Sequence, residues 1–292
     1  MKRSLVFPLL FFPVALSGGL AAASEKASYP PHTIPGSELR VLPTNAAGRH
    51  YQLSVGLPAS YAKQTGRRYP IVYVTDAYWD FQKLDAIRGA LVFDKVAPEF
   101  IIVGLGYAGE NLDYGRLRAW ELSPVPFGDR PDTGHAADFL ATIETQIIPF
   151  VEREYRADPA HRVLAGASLG GLFTLYAMYS RPDLFSAWVA VTPAVALSDG
   201  WLLGYEQKFA QAGGELKGRL FASMGENENP AFLSAILRYN SRIASRRYPH
   251  LAYQFRIIDG ERHAGMQPES YTRGLRFVLA PLAPEQGPGS FP

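Results

Sequence analysis

The chain has 292 residues, 47% of them hydrophobic, enough for one large α/β domain or two small ones. Its formal net charge is only +2 and its basic residues are scattered, which argues against nucleic-acid binding and against binding at a membrane surface. The sequence contains no cysteine, which excludes disulfide bonds, thiol catalysis and thiolate metal sites.

The N-terminus has the pattern of a secretory signal peptide. Two basic residues precede an apolar run from Leu5 to Leu16, and Ala21-Ala22-Ala23 then supplies an Ala-x-Ala cleavage site before Ser24. The apolar run is short for a membrane-spanning helix. We therefore predict a cleaved signal peptide over residues 1–23, a bacterial periplasmic or secreted location, and no membrane insertion after cleavage. An uncleaved anchor is the alternative.

Strand and helix patterns alternate along the remaining chain. The β-branched run Tyr69–Asp76 is typical of a strand buried on both faces of a parallel sheet. Other strands are predicted over residues 38–42, 51–56, 100–103, 163–165, 188–191, 220–224 and 253–258. Helices are predicted over residues 81–93, 136–155, 201–212, 231–246 and 269–279, with one more beginning at residue 169. This alternation predicts one doubly wound α/β domain over residues 24–280, followed by a disordered tail over residues 281–292.

The segment 106–134 shows little periodicity but many aromatic and charged residues, so we predict a long functional loop there. Just before it, Gly104–Gly109 spells G-x-G-x-x-G after a strand. A dinucleotide site would need a helix next and an acidic residue at the end of a second strand, and neither pattern follows. We therefore expect no nucleotide cofactor.

A second glycine motif lies between the strand at 163–165 and the following helix. Gly166-Ala167-Ser168-Leu169-Gly170 is the G-x-S-x-G pattern of a nucleophile elbow. Glycines at both ends allow a sharp turn in which a Cβ would collide, and the turn exposes the serine hydroxyl. Because Leu169 begins the helix, its backbone amide is a candidate oxyanion donor. A serine packed in the turn of some other α/β protein is the alternative interpretation.

A serine nucleophile needs a base, and the base needs an acid that fixes its tautomer. In the α/β-hydrolase arrangement the acid and then the histidine follow the serine, each after a strand. Only His250 and His263 follow Ser168; His250 lies just before the strand 253–258, whereas His263 lies in the loop after it, where the base belongs.

The acid is expected after the strand 220–224, where Glu226 and Glu228 compete, and Asp199 is an outside candidate that we expect to cap a helix instead. The second oxyanion amide is expected in the loop after the strand Tyr69–Asp76, with Tyr78 as the leading candidate.

Taken together, these motifs resemble the putative-esterase family of α/β-hydrolases, which includes esterase D, the antigen 85 mycolyltransferases, and the enterochelin and salmochelin esterases. The similarity covers about residues 53–279. It rests on Tyr69–Asp76, on Ile101–Gly106 with the arginine-bearing loop after it, on Gly166–Gly171, and on the late acid and histidine. Within the family the chain looks most like the exported, siderophore-esterase-like branch.

The resemblance implies an α/β-hydrolase fold and assigns further roles. The family's acid lies three residues past a glycine that ends its strand, which matches Gly225 and Glu228. Its oxyanion amide follows an Asp-Gly pair and maps to Tyr78, although this chain has Ala77 in place of the glycine.

We therefore expect ester hydrolysis through an acyl-enzyme on Ser168, with no metal and no cofactor, acting on a small-molecule ester such as a siderophore. The candidate substrate contacts are Trp79, Arg116, Arg118 and Trp120. The alternatives are a feruloyl or acetyl esterase acting on polysaccharide esters, an acyltransferase, and a catalytically silent binding module.

Overall fold

The computed structural model describes residues 32–45 and 48–284. The predicted signal peptide, and residues 285–292 of the predicted tail, lie outside the described residues. Contacts divide the chain into Met1–Thr33, most of which is not described, and Ile34–Pro292, which contains the whole sheet.

Eight strands form one sheet in the described part of the chain. The strands are β1 (Ser37–Val41), β2 (Tyr51–Gly56), β3 (Tyr69–Val74), β4 (Ile101–Tyr107), β5 (Ala157–Ala167), β6 (Ala187–Val191), β7 (Lys217–Gly225) and β8 (His250–Ile258). Their order across the sheet is β1-β2-β4-β3-β5-β6-β7-β8. Strands β3 to β8 are parallel, whereas β2 pairs antiparallel with both β1 and β4. A mostly parallel sheet places the ends of its central strands, and the loops after them, along one edge.

Helices cover both faces of this sheet. They are α1 (Ala77–Phe93), α2 (Tyr114–Leu122), α3 (Ala136–Thr142), α4 (Ile148–Glu154), α5 (Leu169–Ser180), α6 (Leu197–Gln211), α7 (Pro230–Arg246) and α8 (Gln267–Leu279). One apolar layer contains Phe81 and Leu84 of α1 with Tyr271 and Leu275 of α8. The layer on the other face contains buried side chains from α3 to α7, among them Phe173. The predicted single, doubly wound α/β domain is confirmed.

Three details differ from the sequence-based expectations. The segment 106–134 is not wholly irregular, because it contains the helix α2. The helix predicted over 136–155 is interrupted by a π-helical turn, Ile143–Ile147, between α3 and α4. A short 3₁₀ helix, Ala280–Leu282, includes the first residues of the predicted tail. The short length of α2 and its lack of a sustained apolar face explain why the sequence pattern did not reveal it.

The glycines of the G-x-G-x-x-G segment have a packing role. Gly104 and Gly106 lie within β4, not in a turn between a strand and a helix. A Cβ at Gly104 would come within 2.9 Å of the Ala77 Cβ, because the start of α1 packs closely on this strand. Among residues 32–45 and 48–284, no helix combines the length and the apolar character needed to cross a membrane.

Candidate active site

Ser168 occupies the single residue between β5 and α5. Its backbone has φ 56° and ψ −116°, a conformation that L residues rarely adopt and that proteins retain mainly at functional sites. The Ser168 amide donates to the carbonyl of Val191, and its carbonyl accepts from the amides of Leu172 and Ala194. These three hydrogen bonds hold the strained turn that the glycine motif predicts.

The elbow glycines are required by direct contact. A Cβ on Gly166 would lie 2.5 Å from the carbonyl carbon and oxygen of Gly170, and 2.6 Å from Thr75 Oγ1. A Cβ on Gly170 would lie 2.2 Å from the same Thr75 oxygen. Thr75 follows β3, so the end of that strand packs directly against the serine turn and fixes the position of the turn relative to the sheet.

The two backbone amides predicted to bind an oxyanion have no hydrogen-bond acceptor among the described residues. Leu169 and Tyr78 are in the first turns of α5 and α1, where amides have no acceptor within the helix. Neither amide donates to any acceptor within the described residues. The amides of Trp79 and Asp80, by contrast, both donate to the carbonyl of Asp76.

The predicted base and acid are brought together. His263 Nδ1 lies 3.1 Å from each carboxylate oxygen of Glu228. The Glu228 side chain is only 2% exposed, whereas that of His263 is 38% exposed. Burial of the carboxylate against the ring fixes the orientation of the imidazole and favours a proton on Nδ1.

The competing acids lie elsewhere. Glu226 is exposed, and it accepts a hydrogen bond from the amide of Gly260 at 2.8 Å. Asp199 lies in a left-handed kink of α6, just before the regular helical part that begins at Trp201, and its side chain makes no capping hydrogen bond there among the described residues.

Thr192 contacts both the predicted acid and the predicted base, and the sequence analysis did not identify it. It follows β6 directly and is fully buried. Its hydroxyl donates to Glu228 Oε1 and lies 3.2 Å from His263 Nδ1. Its φ of 37° is unusual for a β-branched residue, which indicates that the surroundings enforce this placement. Only its position in the sequence could have identified Thr192, because it directly follows a central parallel strand at the same edge of the sheet as Ser168.

A cavity of about 610 Å³ opens beside the histidine. It is lined by Asn227, Glu228, Asn229, Phe232, Arg262 and His263. The Phe232 ring stands edge-on to the imidazole, with a centroid separation of 5.4 Å and an interplanar angle of 89°. The site therefore has a recess on its histidine side.

The structure places the two candidate arginines differently. Arg118 makes a bidentate ion pair with Asp76, in which both N–O distances are 2.8 Å. Burial and this ion pair have opposite effects on the Arg118 pKa, and the net result is a raised pKa. The Arg116 side chain is 69% exposed and lies 3.5 Å from Asp132. The structure thus shows Arg118 engaged within the protein and Arg116 facing solvent.

The candidate aromatic residues also differ in how exposed their rings are. Tyr78 and Trp79 are 65% and 46% exposed. Tyr78 stacks on Tyr114 of α2 with a centroid separation of 4.6 Å, and Trp79 meets both rings edge-on. We call Tyr78, Trp79 and Tyr114 the aromatic cluster. It forms an exposed surface beside the Tyr78 amide.

Trp120, in contrast, is covered. His135 stacks on it at a centroid separation of 3.8 Å and 10°, and the Arg49 guanidinium carbon lies 3.7 Å from its ring. Two groups this close cannot share one face, so they cover both faces of the indole. A substrate ring therefore has no free face of Trp120 on which to stack.

Next to Trp120, Glu121 is completely buried. Tyr51 donates its hydroxyl to Glu121 Oε1 at 2.5 Å, and Arg49 Nε lies 3.9 Å from the same oxygen. Burial raises the pKa of Glu121 to about 7, against the opposing effects of Tyr51, Arg49 and Tyr107. Within the described residues, no group of three or more His, Asp or Glu side chains is arranged to hold a metal ion.

Comparison with known proteins finds similarity to esterases. The family described as Putative esterase matches residues 44–251. The ferri-bacillibactin esterase BesA of Bacillus subtilis strain 168 is 27% identical over 282 residues, which cover 88% of this chain and 94% of that protein. The apo-salmochelin esterase of Escherichia coli O6:H1 strain CFT073 is 29% identical over 157 residues, covering 50% of this chain and 48% of that protein.

Among solved structures, the BES protein from Bacillus cereus superposes with a TM-score of 0.77 at 24% identity. The superposition covers 87% of this chain and 98% of the other. This similarity, together with the strand order, confirms the α/β-hydrolase fold.

Proposed function

The chain belongs to the Putative esterase family and is a carboxylic-ester hydrolase, and from this premise we propose that it cleaves siderophore esters through an acyl-enzyme formed on Ser168. The observation that carries the mechanism is the contact of His263 Nδ1 with both oxygens of Glu228 in a protein whose serine occupies a strained elbow. A histidine oriented in this way has its other ring nitrogen available as a general base.

In the proposed first step, His263 removes the Ser168 proton and the serine oxygen attacks the ester carbonyl. The negative charge on the tetrahedral intermediate is stabilised by the amides of Leu169 and Tyr78, the two free donors at the helix starts. Glu228 stabilises the imidazolium, and Thr192 holds Glu228 in place.

When this intermediate collapses, the bond to the alcohol oxygen breaks, the alcohol leaves with the proton from His263, and an acyl group remains on Ser168, which completes the first half of the reaction. Water, activated by the same histidine, then attacks the acyl carbonyl and releases the acid. The side chains of this chain supply every proton transfer in the cycle.

Support for a siderophore substrate comes from two sources. The similar proteins BesA and the apo-salmochelin esterase are both named for siderophore hydrolysis. The aromatic cluster presents exposed rings beside the proposed oxyanion amide, and such rings suit a ligand that carries aromatic groups. We also propose that the protein is exported to the periplasm or secreted, on the basis of its N-terminal sequence.

The test measures hydrolysis of p-nitrophenyl butyrate, a catecholate trilactone siderophore and methyl ferulate by the purified protein and by Ser168→Ala. We expect labelling by a fluorophosphonate probe and trilactone hydrolysis by the wild type, both absent in the variant. Rapid cleavage of methyl ferulate with an intact trilactone would overturn the siderophore assignment. Full turnover by Ser168→Ala would overturn the mechanism.

A further inference from the structure

The recess beside His263 has a wall whose chemistry differs from that of the aromatic cluster. It is the cavity of about 610 Å³ between the loop after β7, the start of α7 and the loop after β8. Phe232 closes one side against the imidazole. The remaining side chains are the carboxamides of Asn227 and Asn229, the guanidinium of Arg262, and the Glu228–His263 pair.

The chemistry of acyl transfer determines which half of an ester this cavity receives. When the tetrahedral intermediate collapses, the bond between the carbonyl carbon and the alcohol oxygen breaks, and the alcohol oxygen takes the proton from the imidazolium. The alcohol must therefore leave on the side of His263. The acyl half remains bonded to Ser168, so a cavity whose wall includes His263 is placed for the leaving alcohol.

The charge on the wall indicates what that alcohol carries. Arg262 is exposed, and its guanidinium makes no ion pair or hydrogen bond with any of the described residues. The acidic side chain in the wall is already engaged, because Glu228 binds both Thr192 and His263. The Asn229 carboxamide oxygen accepts from Ala231, which leaves its NH₂ group as a donor. The wall thus offers hydrogen-bond donors with one unpaired positive charge.

We infer that this cavity is the leaving-group subsite, and that Arg262 makes it selective for alcohols bearing a carboxylate or a comparable anion. The inference deepens the proposed ester hydrolysis and rests on it. Arg262 is a specificity residue in this scheme: it contacts the departing half of the substrate and takes no part in proton transfer.

The experiment compares two esters that share the acyl group and differ in one substituent of the alcohol, 3-(butanoyloxy)benzoate and 3-(butanoyloxy)benzamide. We expect the wild type to prefer the carboxylate ester by about three- to tenfold in kcat/KM, the range of a partly exposed charge pair. Arg262→Gln should bring the ratio close to one, mainly by lowering kcat/KM for the carboxylate ester. Arg256→Gln is the matched control, because Arg256 is exposed on β8 outside the cavity and its loss removes the same charge.

Failure of this inference and failure of the proposed function give different results. If the wild type hydrolyses both esters equally well, or if Arg256→Gln abolishes the preference as fully as Arg262→Gln, the subsite is disproved and the esterase stands. If the wild type hydrolyses neither ester, the proposed function fails. The subsite is then judged by calorimetric binding of 3-hydroxybenzoate and 3-hydroxybenzamide to Ser168→Ala: tighter binding of the carboxylate that requires Arg262 supports it, and equal binding disproves it.

Discussion

Arg118 Nε and Nη2 each lie 2.8 Å from a different carboxylate oxygen of Asp76, so a residue of α2 is clamped to the turn that begins α1. Asp76 itself has φ 55°, in the left-handed region. Its carbonyl accepts hydrogen bonds from Trp79 and Asp80 and thereby sets the direction of the amides around Tyr78. The ion pair therefore connects the segment after β4 to the proposed oxyanion hole.

Replacing Arg118 should affect the rate more than substrate affinity. Arg118→Lys keeps the charge but loses the bidentate geometry, so we expect kcat to fall about tenfold with KM little changed. The matched control is Arg116→Lys, in the same helix but exposed, which should leave kcat unaltered. A large rise in KM at constant kcat in Arg118→Lys would instead make Arg118 a substrate contact.

The proposed triad should behave as one unit. Ser168→Ala and His263→Ala should each lower kcat by about 10⁴- to 10⁶-fold, and the double variant should be no slower than either single variant. Steady-state kinetics on p-nitrophenyl butyrate measure this. If the two losses multiplied, Ser168 and His263 would be acting independently and the mechanism would be wrong.

Thr192 should act through Glu228. Thr192→Val preserves the shape of the side chain but removes the hydroxyl that donates to Glu228, so we expect kcat to fall about tenfold. Thr192→Ser restores the donor and should recover most of the activity. The measurement is kcat for both variants together with their urea unfolding. Equal kcat in the valine variant and the wild type would show that the hydroxyl does not position the acid.

The contact between Thr75 and Gly170 predicts a rescue. Gly170→Ala should destabilise the fold by about 1–3 kcal/mol, because its Cβ would overlap Thr75 Oγ1. Adding Thr75→Ala should relieve much of this overlap. The same second change should not rescue Gly166→Ala, whose Cβ would also meet the Gly170 backbone.

Urea unfolding of these variants tests the rescue. Gly89→Ala, in an open position on α1, is the control and should stabilise the protein by about 1 kcal/mol or less. Failure of Thr75→Ala to improve Gly170→Ala would mean that the hydroxyl is not the obstacle.

Glu121 should make stability depend on pH. Its pKa is about 7 in the folded protein against an ordinary value of 4.5, so the folded state binds more protons between these pH values than the unfolded state does. The free energy of unfolding should therefore decrease as pH rises from about 4.5 to 7, by up to about 3 kcal/mol from this group.

The measurement is urea unfolding from pH 4.5 to 8 for the wild type and Glu121→Gln. The difference in unfolding free energy between the two proteins should change across this range, with the wild type losing stability relative to the variant as pH rises. Parallel profiles would show that Glu121 titrates normally.

The sequence predicted the parts of the fold that follow from periodicity. The buried parallel strands, the amphipathic helices and the glycine elbow are all in place, and the two residues predicted as acid and base, Glu228 and His263, are in contact. These predictions succeeded because parallel strands deliver their following loops to one edge, so order along the chain indicates proximity in space.

The unpredicted features depend on contacts between distant segments. Nothing local to Thr192 indicates a bond to Glu228, since the two meet only because β6 and β7 are neighbours. Arg118 and Trp120 were expected to face the substrate, as polar loops often do. The structure shows that Arg118 forms an ion pair with Asp76. The Trp120 ring is covered by Arg49 and His135.

The clamp between Arg118 and Asp76 also bears on how such enzymes diversify. Asp76 follows β3 at the edge of the sheet, whereas Arg118 belongs to the segment between β4 and α3, which we expect to influence substrate range. Transplanting that segment alone would leave the nearly buried carboxylate of Asp76 without its ion-pair partner. A chimera that folds well must therefore contain both Arg118 and Asp76, or neither of them. The same requirement applies when the segment diverges in evolution.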